Sequence, residues 1–105
     1  TINVPLRAGV GGSAFRLLAE RVVWPAARRF RPDLMQISAG FDAHGGDPVG
    51  QLRGGETDFA WVTEALCAMA DRRCGGRIVS LLEGGYDLIA LAESAAVHVR
   101  ALMRI

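Results

Sequence analysis

Lysine is absent from this chain of 105 residues: all 12 basic side chains are arginine. Planar guanidinium groups suit anion recognition, but here they are scattered among 11 acids, and coding bias explains them as simply. The net charge of only +1 lacks the electrostatic footprint of a nucleic-acid binder, so no direct nucleic-acid partner is expected. No apolar run approaches the roughly 20 residues that a spanning helix needs, so no membrane partner is expected either. Balanced charge and 50% hydrophobic residues exclude strong disorder. Cysteine occurs twice, at Cys67 and Cys74. On one predicted helix these lie roughly 10 Å apart, too far for a disulfide. No CxxC metal spacing is present. The thiols read as reduced, and the expected localisation is cytoplasmic. The chain opens at Thr1 with no charged and apolar leader in view, which suggests a fragment or a processed chain.

What is present is an alternation of strand-like and helix-like segments. Residues 2–6 read as a short strand, with Pro5 at its end or edge. Ser13 can cap a helix to about Phe30, with Phe15, Leu18, Val22, Ala26 and Phe30 at helical spacing; Pro25 should kink or split it. Residues 34–38 read as a buried strand, followed by a long Gly- and Asp-rich loop. Thr57 or Asp58 opens a second helix to about Arg73, with Phe59, Val62, Leu66 and Met69 as its stripe, ended by Gly75-Gly76. Residues 78–82 read as another buried strand. Asp87 caps a last helix with Leu88, Leu91, Ala95, Val99 and Leu102 inward. This order predicts an α/β fold with a parallel sheet and helices on its faces.

Open α/β sheets bind ligands beyond the carboxyl ends of their strands. Two loops leave such ends: Phe41-Asp42-Ala43-His44-Gly45-Gly46-Asp47-Pro48 and Glu83-Gly84-Gly85-Tyr86-Asp87. If the strands are neighbours, the loops flank one cleft and bring carboxylates, an imidazole and a phenol together, as a metal or acid–base site would. Asp42, just after a buried strand, must be paired, hydrogen-bonded or metal-bound; a helix cap or loop hydrogen bond would serve equally. His44 is either a ligand or base, or an exposed loop histidine. Asp47-Pro48 is a turn initiator, and Glu83 is either a ligand or an acceptor of backbone N–H groups. Gly84-Gly85 permits close backbone approach, although no phosphate-loop pattern accompanies it. The Tyr86 hydroxyl could polarise a carbonyl, or the ring could simply pack. His98 reads as a structural histidine on the last helix.

At these loops the sequence resembles zinc-dependent histone deacetylases. Ser38-Ala39-Gly40-Phe41-Asp42-Ala43-His44 with Asp47-Pro48-Val49-Gly50 is similar to one signature of that family, and Leu82-Glu83-Gly84-Gly85-Tyr86-Asp87-Leu88 to a second. Asn3-Val4-Pro5-Leu6 also matches. The phrasing is closest to class II-like and bacterial acetoin-utilisation-type members. The resemblance implies an arginase-like, three-layer α/β fold and hydrolysis of an acetyl-amide, typically acetyl-lysine or a similar acetylated amine. It implies Zn2+ held by two aspartates and a histidine, with Asp42 as one aspartate. Tyr86 matches the tyrosine that hydrogen-bonds the acetyl carbonyl and then the oxyanion. Gly84 and Gly85 match glycines that shape the substrate tunnel, and Phe41 falls with them among the substrate-binding positions. Val49 stands where polyamine-selective members carry an acid, which argues against a charged polyamine. His44 matches a residue that is not a zinc ligand.

The family's paired histidines and its Asp-x-His ligand pair have no counterpart here, and neither does the acid usual near Gly11-Gly12. The expectation is therefore that residues 1–105 form the C-terminal portion of a deacetylase catalytic domain, needing its N-terminal part to bind zinc tightly and act. The alternative is a non-catalytic remnant or interaction module. Half a sheet would expose an apolar edge and face, and should then self-associate, bind a partner or aggregate. An arginase-like hydrolase with two metals would need more Asp and His ligands than this chain offers.

Overall fold

The computed structural model describes all residues, 1–105, in seven elements. These are helix α1 (Gly12–Leu18), a π-helical turn (Ala19–Val23), α2 (Trp24–Phe30), strand β1 (Met35–Ala39), α3 (Glu56–Arg73), β2 (Ile78–Leu82) and α4 (Leu88–Leu102). β1 and β2 pair in parallel, with Met35 opposite Ile78 and Ala39 opposite Leu82. The crossover through α3 makes this a strand–helix–strand unit, as the alternation predicts.

Pro25 explains the first helical stretch. It has no N–H to donate, and its ring crowds the carbonyl four residues back. The chain widens into the π turn just before it, leaving Pro25 in the first turn of α2. That helix ends on Arg31, which takes a left-handed conformation (φ +56°), and Pro32 follows. α3 starts at Glu56, slightly before its expected start. Asp58 Oδ2 accepts the Gly55 N–H at 3.0 Å and caps the helix from within its first turn. Gly75 and Gly76, both at positive φ, end it, and the Gly76 N–H returns to the Ala70 carbonyl at 3.0 Å.

The core lies where the first helical stretch, α3 and the starts of both strands meet. Ala19, Trp24, Met35, Met69, Ala70 and Cys74 form it, with Trp61, Leu66 and Ile78 against them. The Trp24 and Trp61 rings lie 5.9 Å apart. Both cysteines are buried and free. No helix is long and apolar enough to cross a membrane.

Three expectations are corrected. Residues 2–6 form no strand, because the β1–β2 pair is the only ladder and Pro5 cannot donate to another. The chain after them instead crosses to the long loop, where Gly9 N–H meets the Gln51 carbonyl at 2.6 Å and Arg53 N–H the Val10 carbonyl at 2.8 Å. The strands are not buried on both faces: alternation turns Val79 and Leu81 to an uncovered side. Finally, α4 buries Ala90, Ser94, His98 and Ala101, and leaves Leu88 and Val99 exposed. Small residues let α4 approach α3 closely, with Cys67 Sγ 3.9 Å from the Ala101 carbonyl, and His98 finds polar partners inside.

Candidate active site

The carboxyl ends of β1 and β2 continue side by side past the ladder. Glu83 N–H donates to the Ala39 carbonyl at 2.9 Å and Phe41 N–H to the Gly84 carbonyl at 2.8 Å. Residues 40–42 therefore run along residues 83–85, and the two loops do share one rim. Asp42 is half-buried there, and its carboxylate lies on Gly84. A Cβ at Gly84 would sit 2.5 Å from Asp42 Oδ2, and one at Gly40 would sit 2.8 Å from Oδ1. Gly50 presses on the Asp42 carbonyl in the same way. Side-chain hydrogen bonds engage Asp47, Glu56, Asp58, Asp71 and Asp87, and none reaches Asp42. A partly desolvated carboxylate without a donor, held by glycines, suits a place in a metal's coordination shell. It is one ligand only: no three His, Cys, Asp or Glu side chains converge anywhere in the chain.

Asp47 is the polar hub of the rim, 9% exposed. Its Oδ1 accepts the N–H groups of Val49 and Gly50, and its Oδ2 accepts that of Tyr86, all at 2.8 Å. Burial pushes its pKa up, but the N–H groups of Gly50, Tyr86 and Val49 and the nearby His44 outweigh it and hold the carboxyl below its ordinary value. The Asp-Pro turn signal locates this residue. Its bond to Tyr86 spans sequence that no local pattern reads.

Tyr86 follows Gly84 and Gly85, the latter at φ +137°, and is 57% exposed, its phenol unbonded within the chain. Asp87 caps α4 as expected, accepting the Ala90 N–H at 2.8 Å. Val49 is exposed on the first loop. Phe41 is not on the rim surface: at 5% exposed it packs edge-on against Phe59 (5.2 Å) and His98 (5.6 Å). The strand's alternation turns it inward, so in this chain it supports the rim from beneath rather than lining it.

His44 stands beside Asp42 in sequence but is engaged elsewhere. Its Nδ1 accepts the Gly46 N–H at 2.9 Å, which leaves the proton on Nε2, 2.7 Å from Glu56 Oε1. The ring stacks on Phe59 at 6.4 Å. The Glu56 backbone N–H and the His44 imidazole lower the Glu56 carboxyl pKa against a weaker upward pull from burial. With both nitrogens occupied, His44 braces the loop. Glu83 is exposed and accepts no side-chain hydrogen bond.

A parallel strand–helix–strand unit with Asp42 and Tyr86 on loops that leave neighbouring strand ends has the layout of an arginase/deacetylase-like α/β fragment. The chain belongs to the histone deacetylase family: the family model "Histone deacetylase domain" matches residues 1–102. "Histone deacetylase 14, chloroplastic" of Arabidopsis thaliana is 41% identical over 103 residues, covering 98% of this chain and 24% of the relative. "Polyamine deacetylase HDAC10" of Mus musculus is 39% identical over 104 residues, covering 98% of this chain and 15% of the relative. The solved structure of the histone deacetylase Clr3 superposes with a TM-score of 0.90 at 36% identity, over 100% of this chain and 17% of that one. The chain thus spans a quarter or less of the relatives it matches here.

Proposed function

We propose that residues 1–105 are the C-terminal portion of a deacetylase catalytic domain, acting in hydrolysis of an acetylated amine such as acetyl-lysine. The observation that carries this reading is the Asp42 carboxylate lying on Gly84, two residues before Tyr86. Asp42 would be one ligand of a zinc ion, the others coming from outside these residues. Such an ion, when bound, supplies Lewis acidity toward the acetyl carbonyl and lowers the pKa of a bound water. Asp42 would hold its oxygens toward that position, kept in place by the absence of side chains at Gly40 and Gly84. Tyr86 would donate its phenolic proton in a hydrogen bond to the acetyl oxygen, first as a carbonyl and then as the tetrahedral oxyanion. Gly84 and Gly85 would leave the acyl group room beside the backbone. Val49, exposed and uncharged, offers nothing to a second ammonium, which favours acetyl-lysine over a polyamine.

Calorimetric titration with zinc tests the ligand assignment. This chain alone should bind weakly, because catalytic zinc normally has three protein ligands. Tight binding that Asp42→Ala abolishes would place further ligands within the chain and overturn it. In the complete domain, Asp42→Ala and Tyr86→Phe should each suppress hydrolysis of an acetyl-lysine peptide, and full activity in both variants would refute the reading.

A further inference from the structure

The two oxygens of Asp47 serve different loops. Oδ1 gathers the N–H groups of Val49 and Gly50, in the loop after β1, and Oδ2 takes the N–H of Tyr86, in the loop after β2, each at 2.8 Å. Nothing else fixes Tyr86 from that side. Its ring is largely exposed and its hydroxyl makes no bond within the chain. The residue before it is a glycine without a side chain to pack, and the residue after it is committed to capping α4. The backbone N–H is therefore its tether to the Asp42 loop. The phenolic oxygen lies at the far end of a long side chain, so a small rotation of the Tyr86 peptide is magnified there. An oxyanion donor must sit about 2.7–3.1 Å from the developing charge, and a displacement of about 1 Å can cost on the order of 10²-fold in rate.

We propose that Asp47 is the positioning residue for Tyr86, bracing it through its peptide N–H while fixing the Val49–Gly50 segment on the other oxygen. This rests on the reading of Tyr86 as the oxyanion donor. An ionised carboxylate is needed for it. Asparagine has one acceptor oxygen, and its NH2 would face either Tyr86 N–H or the Val49 and Gly50 pair, donor against donor.

The test is a double-mutant cycle in the complete deacetylase domain carrying these residues. Tyr86→Phe should lower kcat by about 10²–10³. Asp47→Asn should lower kcat by on the order of 10² with KM little changed. The proposal assigns the kcat effect of Asp47 to the phenol, so the double variant should be no slower than Tyr86→Phe alone. A merely structural role would make the two losses multiply, and that result, or an unchanged kcat in Asp47→Asn, overturns the proposal. Full activity in Tyr86→Phe would instead remove the reading on which it rests. Should Asp47→Asn not fold, replacing the Tyr86 peptide N–H by an ester oxygen breaks the single bond and leaves Asp47 in place. The same loss of kcat is then expected, and an undiminished rate refutes the brace.

Discussion

The hydroxyl of Thr63 receives the Nδ1 proton of His98 across 2.8 Å in the interior. The direction follows from the partners. Thr63 spends its own proton on the Phe59 carbonyl at 2.6 Å, so toward His98 it can only accept. The other ring nitrogen, Nε2, then has no proton and accepts from the Ser80 hydroxyl at 2.8 Å. One neutral imidazole thereby joins α3, β2 and α4. Truncating it with His98→Ala leaves two hydroxyls short of a partner and opens a cavity. Thermal or denaturant unfolding should report a loss of about 3 kcal/mol.

The same ring gives the fold an acid sensitivity. Burial lowers the His98 pKa from its ordinary 6.5. The unfolded chain therefore takes up the proton first, and stability is present in full above about 6.5 and falls as pH drops toward the lower folded value. The melting temperature should decline from pH 7 to pH 5 more steeply in the native protein than in His98→Gln. Equal slopes would remove His98 as the cause.

Asp47 adds a second and lower window. Its folded carboxyl titrates below the ordinary 3.8. Its contribution is thus present above that value and lost as pH falls through the folded pKa. Acid unfolding below pH 4 should be shallower in Asp47→Asn, starting from a less stable protein at neutral pH.

Gly84→Ala should be far more damaging to the site than to the fold. The added methyl would stand 2.5 Å from Asp42 Oδ2, and the carboxylate must swing away. Deacetylation by the complete domain should fall at least about tenfold, in line with losses from disturbed metal surroundings. Helix content measured by circular dichroism should change little.

The uncovered side of the sheet predicts association. Val79 and Leu81 are exposed there, and β1 and β2 each keep a free edge. Sedimentation velocity on this chain alone should show concentration-dependent self-association that Val79→Thr with Leu81→Thr reduces. A clean monomer at high concentration would count against an open interface.

Much of the fold could be read from local pattern. β2 lies where the apolar run between Gly76 and Glu83 put it, and β1 is displaced by one residue because Ala39 still pairs with Leu82. Asp87 caps α4 and the glycine pair ends α3, since caps are local chemistry. The failures share a cause as well. A strand at residues 2–6 depends on a partner elsewhere, which hydropathy cannot supply. On α4 the apolar stripe holds only in part: Leu91, Ala95 and Leu102 are half-buried and Leu88 and Val99 exposed, because small residues and His98, a structural histidine as expected, take the innermost positions with Thr63 and Ser80 as its partners. At the site, the adjacency of the two loops followed from parallel pairing. The Asp47–Tyr86 and His44–Glu56 bonds did not, because each depends on how separate loops fold against one another.

The parallel register also sets an order of events. Met35 meets Ile78 only by closing a connection that contains the whole of α3. Helices form in about a microsecond, whereas pairing across a long intervening segment waits for loop closure. Until β2 arrives the Asp42 loop has only its own bonds and the His44–Glu56 brace, and only then can Asp47 reach Tyr86. Protection of the Tyr86 amide in pulsed hydrogen exchange should accordingly lag behind the recovery of helical dichroism, making the rim the last part of the molecule to mature.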